Sequence, residues 1–121
     1  MNKVLVTGLG MTTPMGPDAA TSFAAALNAT SAVRVAPPEH CAGLTNILHA
    51  PIAAEPGPLL DRAHTGLDRA AQLAMVATQE AVAQAYVDTP APSPDAGRVG
   101  IYVGIGFGGA DTVDALYTRY F

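Results

Sequence analysis

The chain has 121 residues, which allows one domain, and only 13% of them are charged although 50% are hydrophobic. A net charge of −4 with high apolar content excludes intrinsic disorder, and six Lys+Arg against ten Asp+Glu disfavour a basic nucleic-acid binder. The single cysteine, Cys41, excludes a disulfide scaffold, and no apolar run approaches the roughly 18 residues of a membrane span.

Lys3 to Leu9 opens the chain as an apolar run with β-branched Val4 and Val6, and predicts a strand buried on both faces. Thr7, Gly8 and Gly10 interrupt it too early for an export signal, so the expected compartment is the cytoplasm, with Cys41 reduced. Met11 to Gly16 is a loop punctuated by Pro14. Asp18 is placed to cap a helix running to about Ala29, with Phe23, Ala26 and Leu27 forming its inner face.

Ala32 to Leu67 is irregular, holds all three histidines, and admits a short strand around Thr45 to Pro51. The clearest helix is Asp68 to Tyr86. Its inner face is Ala70, Leu73, Ala74, Ala77, Ala81 and Ala85, with Asp68, Gln72 and Gln79 opposite. Small residues on that face permit close approach by another backbone. Asp88 to Gly97, with three prolines, is a surface loop. Arg98 to Ile105 reads as a second buried strand, Gly104 to Gly109 as a glycine turn, and Ala110 to about Phe121 as a final helix with Asp111 near its start. Strands alternating with helices predict an α/β fold with parallel strands.

The candidate chemistry is sparse. Gly104, Gly106 and Gly109 satisfy G-x-G-x-x-G between a predicted strand and a predicted helix, the setting of a nucleotide fingerprint. The acidic ribose partner belongs about 20 residues further on, and the sequence stops short of it. A structural turn is therefore the stronger reading, with a nucleotide-binding α/β module as a weaker alternative. In Val6-Thr7-Gly8-Leu9-Gly10, Pro14 and Pro17 postpone the helix, so its N-terminus is displaced from any phosphate. Adjacent His40 and Cys41 lie in a proline-rich loop without an orienting group, which argues against a nucleophile and base. His49 and His64 lack metal-ligand spacing. No catalytic, cofactor-binding or metal-ligating residue is assigned.

Three segments in register carry a family resemblance: Val4 to Gly16, with Gly8, Gly10, Pro14 and Gly16; Leu67-Asp68-Arg69 followed by Gln72, Ala74, Ala77 and Glu80-Ala81; and Arg98 to Gly109. In order and spacing the chain resembles the N-terminal portion of β-ketoacyl-acyl carrier protein synthases, the condensing enzymes of fatty-acid and polyketide synthesis. The resemblance implies a thiolase-like fold, the N-terminal part of an α-β-α-β-α layered sandwich, with residues 1–121 an incomplete part of that domain. It implies a decarboxylative condensation of malonyl-acyl carrier protein with an acyl thioester held on a cysteine, assisted by two histidines. In the family those residues lie beyond the position of Phe121, and Cys41, His40, His49 and His64 match none of them.

The resemblance carries one site across: Phe107, flanked by Gly106 and Gly108, stands where family members line the acyl pocket near the dimer interface. It further implies acyl carrier protein, the remainder of the synthase fold, and a like or related dimer subunit as partners, with no cofactor, nucleic acid or membrane. A non-catalytic scaffold of the chain-length-factor type is the alternative. Family members commonly have glycines where this chain has Ala29 and Ala32.

Overall fold

A computed structural model describes residues 3–53, 64, 66–86, 99–106 and 108–121. The described elements are helix α1 (Ala19–Leu27), strand β1 (Arg34–Val35), a 3-10 turn (Pro38–His40), strand β2 (Leu48–His49), helix α2 (Arg69–Ala85) and helix α3 (Ala110–Tyr120). The fold is a small α/β arrangement of three helices and one two-stranded sheet among these residues. The predicted proline loop Asp88 to Gly97, and Arg98 at the start of the second predicted strand, fall outside the described residues.

Each predicted helix forms, α1 with the Asp18 cap that its sequence suggests and α2 with Asp68 as its cap. The Asp18 carboxylate accepts the Thr21 N–H at 2.7 Å, and that of Asp68 accepts the Ala70 N–H at 2.9 Å. Each satisfies one of the donors that a helix N-terminus leaves unpaired. Both carboxyls are held below the usual range, Asp18 chiefly by the Thr21 backbone N–H and Asp68 chiefly by the Thr112 hydroxyl.

α1 stops at Leu27, two residues short of the predicted end. The Thr30 N–H bonds the Ala25 carbonyl at 2.9 Å and the Ala29 N–H bonds that of Ala26 at 3.1 Å. This is a Schellman closure, and it forces Ala29 to φ 51°, in the left-handed region that favours glycine. The structure thus explains why a glycine is at home at this position and why alanine there is strained.

The inner face of α1 differs from the prediction. Phe23 and Leu27 are exposed, whereas Ser22 is 1% exposed. Its hydroxyl donates to the Gly16 carbonyl at 3.2 Å and shares a 2.8 Å bond with the Thr13 hydroxyl. Thr13 and Gly16 close a four-residue turn by reciprocal backbone bonds of 2.9 and 3.2 Å, with Pro14 at the position where its fixed φ suits a turn. The buried polar knot, and not the apolar stripe, sets the rotation of α1.

The two long predicted strands are corrected by the structure. Neither residues 3–9 nor residues 99–105 enter a ladder, and the only paired strands described, β1 and β2, run antiparallel with Arg34 opposite His49 and Val35 opposite Leu48. β2 falls inside the predicted Thr45 to Pro51 strand; β1 was not anticipated. The physical reason is that β-branched apolar runs favour an extended backbone, but a strand exists only where a neighbour takes its hydrogen bonds. Val4 is 94% exposed and Tyr102 96% exposed, so both runs present apolar side chains outward.

Instead of a strand, the first run meets α2. A Cβ on Gly8 would collide with the Ala81 carbonyl oxygen, and one on Gly10 with that of Ala77. Glycine is required at both positions because the two backbones touch, over the small-residue face that the sequence predicts. Side chains of α2 replace a neighbouring strand: the Leu9 N–H donates to Gln84 Oε1, and the Met11 N–H to Glu80 Oε2 at 2.8 Å. The other oxygen of Glu80 accepts the Ala19 N–H, the first of α1, at 2.9 Å. One carboxylate therefore ties the opening segment, α1 and α2 together.

The buried apolar residues described are Ala36, Cys41 and Val76.

Candidate functional site

The glycine turn joins the second extended run to α3. Gly104 and Gly106 have open space where a Cβ would project, whereas a Cβ on Gly108 would collide with the Ile105 side chain. Gly109 takes φ 77° and caps α3, its carbonyl accepting the Val113 N–H at 2.9 Å. A left-handed residue at this point favours glycine, which gives the last glycine of the pattern a structural role without a ligand. Gly106 and Gly108 are exposed at the turn; Phe107 lies outside the described residues.

Beneath the turn, α2 and α3 begin side by side. Asp68 caps α2 through Oδ1, while its Oδ2 accepts the Thr112 hydroxyl at 2.7 Å in the first turn of α3. A groove of about 530 Å³ runs from the start of α2 along α3, with Arg69, Asp111 and Arg119 on its walls. Arg69 is engaged by the Ile52 carbonyl at 3.1 Å and so pins the 50–53 segment to α2. Asp111 in the first turn of α3 and Arg119 in its last both complement the helix dipole.

This arrangement bears on the phosphate reading of the glycines. A phosphate brought to the N-terminus of α3 would meet the Asp68 carboxylate, already bonded there, and Asp111 beside it. The positive end of the helix is occupied by the protein's own anions. At the other glycine pair, Gly8 and Gly10 serve contact with α2.

Cys41 is 4% exposed, with its thiol directed at the Pro37 carbonyl at 3.2 Å. A thiol buried against a carbonyl oxygen lacks the electropositive, accessible setting of a reactive cysteine. His40 is exposed on the 3-10 turn, and His49 is half-buried on β2. Among the described residues, no three or more His, Cys, Asp or Glu side chains gather as a metal site would require. No described helix is long and apolar enough to cross a membrane.

The family model for the β-ketoacyl synthase N-terminal domain matches residues 1–120. The chain belongs to the β-ketoacyl synthase family. The match covers all three segments whose motifs carry the resemblance, from the glycines at 8 and 10 through the Asp68-Arg69 helix start to the turn at 104–109. Neither the curated proteins nor the solved structures searched give a match. Within this β-ketoacyl synthase domain, Glu80 is the residue that sequence reasoning missed. It was visible only as part of the Glu80-Ala81 motif. The sole signal of its role is a carboxylate flanked by Ala77 and Ala81, on the face where a backbone packs.

Proposed function

We propose that this chain contributes the N-terminal part of a β-ketoacyl-acyl carrier protein synthase, with the layered thiolase-like sandwich as its complete architecture. The family match over residues 1–120 carries the reading. The reaction joins an acyl thioester to malonyl-acyl carrier protein, releasing carbon dioxide and a free thiol and leaving a β-ketoacyl thioester. The nucleophilic cysteine and the two histidines of that chemistry are not among residues 1–121; the role here is to supply part of the acyl pocket. Phe107, between Gly106 and Gly108, is the pocket residue, and it either gates the pocket or restricts it to short or specialised acyl groups, since a phenyl ring would fill space that a smaller side chain leaves to the acyl tail. Acyl carrier protein and a like or related subunit are the partners, in fatty-acid or polyketide synthesis in the cytoplasm.

Exposed apolar runs at residues 3–9 and 99–105 fit surfaces that the rest of a synthase fold would cover, and so support the reading. The test is to supply the synthase containing this chain with acyl and malonyl thioesters of acyl carrier protein and follow carbon dioxide release with β-ketoacyl product. Condensation supports the proposal. Absence of condensation, with stimulation of a separate catalytic subunit, would favour the scaffold alternative. Saturable NAD(P) binding would favour a nucleotide module and overturn the proposal.

A further inference from the structure

We draw no further inference here: the strongest candidate, the exposed apolar face of α3 formed by Val113, Leu116, Tyr117, Tyr120 and Phe121, is unpartnered among the described residues, and nothing in the structure shows what covers it.

Discussion

Glu80 is the most informative side chain to remove. Its two carboxylate oxygens accept main-chain N–H groups from different segments, Met11 at 2.8 Å and Ala19 at 2.9 Å. The Ala19 bond is part-buried and serves a helix N-terminus, where a charged acceptor is worth about 1.5 kcal/mol net. The Met11 bond is exposed, so water replaces it readily and its share is about 0.5 kcal/mol. Glu80→Ala should therefore destabilise the protein by about 2 kcal/mol. Glu80→Gln is not a conservative rescue: its amide nitrogen would face one of the two N–H donors, so it should lose about half or more of the same energy. Urea denaturation followed by circular dichroism reads the loss, and hydrogen exchange locates it. The amides of Met11 and Ala19 should lose protection together. If both variants unfold at the wild-type urea midpoint, or if only one of the two amides is affected, a single carboxylate does not couple the segments.

Four further outcomes follow from the same contacts. Ala29→Gly should stabilise the chain by about 1 kcal/mol, since it relieves a left-handed alanine at the end of α1; a raised urea midpoint checks this. Ser22→Ala should cost about 1–3 kcal/mol by the same measurement, because it strips a buried partner from the Thr13 hydroxyl and the Gly16 carbonyl. Gly10→Ala should cost about 3 kcal/mol, with the change in backbone separation visible in a structure of the variant, because the added methyl meets the α2 backbone. In acid, the Asp18 and Asp68 caps share one sign. Their folded carboxyls titrate below the unfolded value of about 3.9, so their stabilisation is present above that value and is lost as pH falls through the lower folded range. An acid titration of Asp68→Asn should show a shallower loss of stability there than wild type.

The helices were legible because their signals are local. Asp18 is a helix-capping residue type at the right spacing, and alanine periodicity marks the face of α2 that receives Gly8 and Gly10. What could not be read depends on partners distant in sequence. Val4 to Val6 and Ile101 to Val103 have strand composition, but pairing is not encoded within a single run. Ser22 outcompetes Phe23 for the inner face of α1 because its hydroxyl finds a carbonyl and a second hydroxyl, a gain no hydropathy pattern registers. Glu80 acts across 69 and 61 residues of sequence, on Met11 and Ala19 respectively. In the functional reading, motif order and spacing pointed to the family that the match over residues 1–120 shows. For the pair His40-Cys41, whose context in the sequence argues against a nucleophile and base, the structure adds that the thiol is buried against the Pro37 carbonyl.

The central claim is the proposed one, that Phe107, flanked by Gly106 and Gly108, lines the acyl pocket of a condensing enzyme. Its most direct test is the product profile of the complete synthase with Phe107→Ala, offered acyl thioesters of graded chain length and read by mass spectrometry. The account predicts condensation with longer acyl groups than wild type accepts. An unchanged acyl-length profile in an active variant would contradict it.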